Sequence, residues 1–318
     1  MFIRIFLTDR MLVLLKKQFI SQPKKNMIDD ELFQKIRHIE IKSKKLVNEV
    51  FSGEYHSVFK GTGINFSDSR EYVAGDDIRF IDWNSTARYC KPFVKVFNEE
   101  RQLNVTFMID ASASLNFSSS PKSKLEIAAE ISALLAFAAI KNNDKTGIII
   151  FTDEIEKFIS HRYGKKHTLL IIREILAYKP ERKKTDISKS IEFALKSLKK
   201  KSVIFFISDF FDENYTDQLA KLQNKHDVTA VLLTDRLEKS IDDYGIIKFS
   251  DPETGKILIF DSSSEKNRNY FSKQSAILNE NIKNSFIKYG IDFIEISTEG
   301  SYVEPLIKYF KNKIKRKN

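Results

Sequence analysis

Cysteine, glycine and proline are scarce in this sequence, at 1, 10 and 6 of 318 residues. A lone Cys90 cannot close an internal disulfide, and the N-terminus lacks the basic segment, apolar core and small-residue cleavage site of a secretory leader. A reducing, cytoplasmic setting is expected. Long apolar runs are also missing. Arg4, Asp9, Arg10, Lys16 and Lys17 interrupt residues 1–20, and the apolar stretch 131–140 falls short of the roughly 20 residues that cross a bilayer. No transmembrane segment is expected, and the basic start leaves peripheral contact as the membrane role to consider.

Several catalytic signatures are absent as well. Gly61-Thr62-Gly63 lacks the third glycine of a dinucleotide loop, and there is neither a P-loop nor a G-x-S-x-G nucleophile elbow. The five histidines, His38, His56, His161, His167 and His226, do not fall at metal-ligand spacing. Any use of ATP would come from a partner.

What the chain does have is length, apolar content and positive charge. At 318 residues and 42% hydrophobic it can bury a large core without disulfides. The net charge is +10, and six basic residues (Lys308, Lys311, Lys313, Lys315, Arg316 and Lys317) crowd the last eleven positions. Such a tail reads first as solvated surface, with nucleic acid or anionic lipid as alternative partners.

Residues 1–26 carry no clear periodicity and read as an extension, with Met11 and Met27 as alternative starts to Met1. Residues 27–102 open with a long amphipathic helix marked by Leu32, Ile36, Ile39, Leu46 and Val50, followed by a polar, aromatic, turn-rich module punctuated by Gly53, Gly61, Gly63 and Gly75. From 103 to 314, strands and helices alternate. Strands are expected over 103–109, 146–151, 203–207, 228–233 and 291–296, and helices over 122–141, 167–177, 187–199, 215–224 and 302–314. A hairpin at 246–260 and a helix at 267–289 read as an insertion near 240–289. Residues 315–318 form the basic tail. The fold class is α/β, a doubly wound, mostly parallel sheet with an irregular or β-rich N-terminal module.

The chemistry centres on Asp110-Ala-Ser112-Ala-Ser114, at the C-terminal end of the first core strand, where open α/β sheets present their ligand crevice. A carboxylate and two hydroxyls at alternate positions can aim oxygens at one hard cation, Mg²⁺ with Mn²⁺ as the alternative. Thr185 precedes a helix and Asp209 ends the next core strand, both at the same sheet edge. Each also has a plain structural reading, Thr185 as an N-cap and Asp209 as a turn initiator.

In that order, these five residues resemble the metal-ion-dependent adhesion site of von Willebrand factor A domains. The resemblance implies that Ser112, Ser114 and Thr185 contact the metal, with Asp110 and Asp209 holding it directly or through water. It also implies an open coordination position, filled by an Asp or Glu carboxylate of a protein partner.

The segment running from Gly61-Thr-Gly63 through Arg70-Glu71-Tyr72, Gly75-Asp76-Asp77-Ile78-Arg79, Asp82-Trp83 and Thr86-Ala87-Arg88 to Glu100-Arg101 resembles the bacterial family catalogued as domain of unknown function 58. The likeness extends over about residues 32–310 and includes Asp251-Pro-Glu-Thr-Gly255. Leu115 stands where the family commonly has Met, and Phe117-Ser118 replaces an aromatic-Gly pair. The resemblance implies a von Willebrand factor A-like, Rossmann-like domain and a MoxR-type AAA+ ATPase as partner in chaperone-like assembly; a non-enzymatic module is expected because no separate base, nucleophile or phosphate loop accompanies the metal-site residues in the sequence. Arg70, Glu71, Asp76, Asp77, Arg79, Asp82 and Arg88 are expected to form a salt-bridge network stapling the module to the core with Trp83 as apolar anchor, or else a docking surface. Two rival readings remain: Asp76, Asp77 and Asp82 as a second metal site in a phosphoesterase or nuclease, and nucleic-acid binding through the tail and the basic region 179–201.

Overall fold

The computed structural model describes residues 25–48, 55, 58, 65–98, 102–251, 253 and 255–317. Gly53, Gly61, Gly63, Glu100 and Arg101, and the extension before residue 25, lie outside them. The described chain opens with α1 (Lys25–Leu46), then a small module of β1 (Asn65–Glu71), a 3₁₀ turn (Ile78–Phe80), α2 (Trp83–Tyr89) and β2 (Phe93–Asn98). The core follows with β3 (Asn104–Asp110), a 3₁₀ turn (Ala113–Asn116), α3 (Lys124–Lys141), β4 (Lys145–Phe151), β5 (Ile155–Arg162), α4 (Lys165–Leu176), α5 (Ile187–Ser197), β6 (Val203–Ser208), α6 (Thr216–Lys225), β7 (Asp227–Thr234) and α7 (Arg236–Lys239). It closes with the hairpin β8 (Ile246–Ser250) and β9 (Ile257–Asp261), then α8 (Glu265–Lys288), β10 (Asp292–Ser297) and α9 (Val303–Lys317).

Six strands form one sheet in the order β10-β7-β6-β3-β4-β5, parallel throughout except for the β4–β5 pair. The alternation of side chains along each strand sorts the core into two layers. Val105, Phe107 and Ile109 of β3, with Val203, Phe205 and Ile207 of β6, face α3, α4, α9 and the Ile39 side of α1. Met108, Ile204 and Phe206 face α5, α6 and α8. Burial on both faces is why these strands read as continuous apolar runs. β5 escaped sequence reading because it is a half-exposed edge strand, with Phe158, Ser160 and Arg162 exposed between partly buried neighbours, and it pairs antiparallel across a short connection.

α3 is apolar nearly all round, since it lies between the sheet and α1. Its start is fixed by a capping box: the Ser123 side chain accepts from Glu126 N, and the Glu126 carboxylate accepts from Ser123 N. The first core strand continues directly into the Asp110 loop, and its partners β4 and β6 leave it in opposite directions. The C-terminal ends of β3 and β6 therefore border the crevice at the topological switch point.

The N-terminal module is held together differently from expectation. Arg70 makes two hydrogen bonds to Asp76, at 2.7 and 2.6 Å, and Arg79 pairs with Asp77 two residues away. Asp82 caps α2 and accepts from Ser69 Oγ and Ser85 Oγ. These bonds close inside the module instead of reaching the core, because the partners lie within a few residues of one another or on paired strands. Trp83 is 71% exposed and anchors nothing in the core. Gly75 has φ +110°, a backbone region that favours glycine, at the turn that lets Asp76 fold back onto Arg70.

Phe286 of α8 lies fully buried, its ring 5.0 Å from that of Phe210 and 5.7 Å from that of Phe293. Phe286→Ala should cost roughly 3–5 kcal/mol in urea unfolding, whereas Trp83→Ala should stay within about 0.5 kcal/mol. Similar costs for the two would contradict the packing described.

Candidate functional site

Asp110 ends β3 with its carboxylate fully buried. Its Oδ1 accepts from Ser112 N at 2.9 Å, which fixes the turn, and its Oδ2 accepts from Ser208 Oγ at 2.7 Å, which ties it to the end of β6. Ser112 Oγ and Ser114 Oγ lie 3.0 Å apart, both buried. Asp209 follows Ser208 and is equally buried; its Oδ1 accepts from Phe211 N at 3.2 Å, so it does initiate a turn, while its Oδ2 accepts from Lys124 Nζ at 3.2 Å. The loop carrying Thr185 is pinned alongside by Ala113 N donating to Lys183 O at 3.0 Å and by Asp186 N donating to Thr152 O at 3.1 Å.

Four of the five residues expected from the sequence are thus linked directly or through Ser208 and the shared loop, and Thr185 joins them through backbone. Thr185 is not the N-cap of α5. Asp186 takes that role, its carboxylate accepting from Lys189 N, and the Thr185 hydroxyl donates instead to Glu253 Oε1 at 2.7 Å.

Three further residues shape the centre that sequence reasoning missed. Lys124, at the first turn of α3, is fully buried and lies between Asp209 and Glu238, with Phe211 5.7 Å beneath its ammonium. Ser208 bridges Asp110, and Glu238 completes a capping box on α7. The Asp235-x-x-Glu238 spacing carries a readable capping signal. A lysine at the start of an apolar helix carries no sign that it will be buried.

Asp110, Asp209 and Glu238 are grouped around the ammonium of Lys124 and the hydroxyl of Ser208. Burial, reinforced by the charge of Asp209, pushes the Asp110 carboxyl from 3.8 up to about 6, against the hydrogen bonds from Ser112 and Ser208. Burial opposes the Lys124 ammonium, yet the charges of Glu238 and Asp209 outweigh it and raise its pKa. Among the described residues no three His, Cys, Asp or Glu side chains converge as a metal cage. A cation here would rest largely on hydroxyl oxygens. The donors fit a small hard ion: ligands at adjacent vertices of an octahedron with bonds near 2.1 Å stand about 3.0 Å apart, the separation of the two serine hydroxyls.

The remaining signature residues do not gather into a second centre. Asp76 and Asp77 are engaged by Arg70 and Arg79. Asp82 is lowered to about 2 by hydrogen bonds from the Ser69 and Ser85 hydroxyls. Glu71 pairs with Lys91 at 3.2 Å, and Arg88 lies exposed in the last turn of α2. Of the basic C-terminal residues, Lys313 reaches Asp227 and Asp292, and Arg316 reaches Asp292; α9 itself continues through Lys317.

A family model described as "Protein of unknown function DUF58" matches residues 68–280. The chain belongs to this family. Relatives include the uncharacterized proteins Mb1516 of Mycobacterium bovis and Rv1480 of Mycobacterium tuberculosis, each 24% identical over 284 residues, covering 88% of this chain and 89% of theirs. Among solved structures, BatB from Bacteroides thetaiotaomicron is 15% identical with a TM-score of 0.42, covering 67% of this chain and 99% of its own. The SpRpn10 VWA domain is 10% identical with a TM-score of 0.38, covering 65% and 94%. The DUF58 chain has the doubly wound, mostly parallel α/β sheet that its sequence implied, with charged loops at the strand C-termini. No helix among the described residues is long and apolar enough to cross a membrane.

The folded Asp110 carboxyl keeps its proton up to about pH 6, against 3.8 for its ordinary value, so its ionisation weakens the metal-free fold progressively between those values and fully above them. In chelator at pH 8, Asp110→Asn should therefore be more stable than the native chain by about 1–3 kcal/mol, and the gain should disappear near pH 4. Denaturant unfolding at the two pH values measures it.

Proposed function

We propose that this protein is a metal-dependent protein-binding module whose candidate centre takes Mg²⁺, or Mn²⁺, and through it a carboxylate of a partner. The observation that carries this reading is the buried set of Asp110, Ser112, Ser114 and Asp209 at the switch point, with Thr185 alongside. Carboxylate and hydroxyl oxygens of this kind suit a small, hard dication. Ser112, Ser114 and Thr185 would hold the ion, with Asp110 and Asp209 behind them; when bound, it would supply a Lewis-acidic anchor for an acidic side chain. Ser208 and the Ser112 amide orient Asp110, and Lys124 keeps Asp209 turned toward the core.

A protein partner suits the surface beside the centre. On the outward face of the β8–β9 hairpin, whose turn carries Glu253, Ile246, Ile257 and Ile259 are 77%, 57% and 72% exposed. Neighbouring exposed apolar side chains of this kind suit a protein contact. The reading is that of a binding module and not of an enzyme. Family membership suggests an adaptor or chaperone-like assembly factor working with a MoxR-type AAA+ ATPase. Nucleic-acid binding is disfavoured by the intrachain pairing of Lys313 and Arg316.

Calorimetric titration with Mg²⁺ tests the first half: one ion should bind the native chain and none should bind Asp110→Ala or Asp209→Ala. Affinity capture from a lysate, with and without chelator, tests the second. A partner retained only with metal, and lost in Asp110→Ala, is the expected result; retention unaffected by chelator would reject metal-dependent capture.

A further inference from the structure

From sequence, residues 251–255 read as a turn-rich hairpin connection within the family likeness. The fold carries Glu253 to Thr185, its Oε1 accepting from Thr185 Oγ1 at 2.7 Å across 68 residues of chain. We propose that Glu253 is an in-chain ligand of the cation, occupying the coordination position that a partner's carboxylate would otherwise enter. This rests on the metal reading above and adds to it a built-in competitor for the partner.

Two observations support the assignment. The first is placement. Glu253 N donates to Asp251 Oδ1 at 2.9 Å, Gly255 N to Asp251 O at 2.8 Å, and Asp251 N to Lys256 O at 2.8 Å, so the turn holds the glutamate by its own backbone. Gly255 has φ +68°, which suits glycine at the return. Behind the turn, Ile247 and Phe249 pack with Leu258, Phe260 and Phe271, which seats the hairpin on α8.

The second observation is spacing. Adjacent ligands of an octahedral ion with bonds near 2.1 Å lie about 3.0 Å apart. The Thr185–Glu253 contact at 2.7 Å is close to that spacing, as is the Ser112–Ser114 contact at 3.0 Å. A hydroxyl that gives a lone pair to a metal still has its proton to donate, so ligation by both oxygens preserves the observed hydrogen bond.

The test uses Mn²⁺ as the probe with the full chain, reading affinity and the number of water molecules in the inner sphere of the bound ion by water-proton relaxation. Thermal melting first establishes that Glu253→Ala and Asp110→Ala are folded. The expected result is one Mn²⁺ on the native chain, none on Asp110→Ala, and binding about tenfold or more weaker on Glu253→Ala, with additional inner-sphere water on its bound ion. If Glu253→Ala matches the native chain in affinity and hydration while Asp110→Ala loses the ion, the metal site stands and the Glu253 assignment is overturned. If the native chain binds no Mn²⁺, both fall together.

Discussion

The buried ammonium of Lys124 is the interaction around which the crevice is organised. It starts α3, yet its side chain runs inward to Asp209 at the end of β6 and to Glu238 on α7. Three loops that are far apart in sequence are thereby fixed at one point. Removing a buried charge of this kind would leave its partners unpaired in a poorly solvating interior, which is far more damaging than losing a surface ion pair. The same scaffold positions Asp110, whose carboxylate is held by the Ser112 amide and the Ser208 hydroxyl.

The sheet contributes geometry of a different kind. Parallel strands β3 and β6 are neighbours, but their connections leave in opposite directions, so nothing covers the gap between their C-terminal ends except the loops themselves. The Ser112–Ser114 turn, the Thr185 loop and the Asp209 turn all converge there. Thr185 is carried by a segment whose backbone bonds to Ala113 and Thr152, which makes its position a product of the sheet as a whole. The N-terminal module stands apart in its chemistry: its charged residues pair among themselves, and Trp83 faces solvent.

Much of the core was legible from sequence. The runs that became β3, β4, β6 and β7 are apolar on both faces, and the helices between them keep a helical period, so their existence and order follow from local pattern alone. Asp110, Ser112 and Ser114 lie on one short loop, where sequence neighbours are necessarily spatial neighbours. β5 was not legible, because a half-exposed edge strand has a weaker pattern than a buried one. The expected staple between module and core failed for a related reason: charge identity reveals that pairs will form, but not which pairs.

By itself, then, the sequence determined the α/β alternation, the parallel sheet and the local Asp110-x-Ser112-x-Ser114 loop, since each depends on periodicity or on neighbours along the chain. Only the tertiary structure decided that Lys124 is buried between two carboxylates, that Asp186 and not Thr185 caps α5, and that Glu253 meets Thr185. Those contacts span tens of residues or depend on which of two adjacent side chains the backbone turns toward the helix. Long-range proximity and side-chain direction are set by packing of the whole sheet, and no local spacing encodes them.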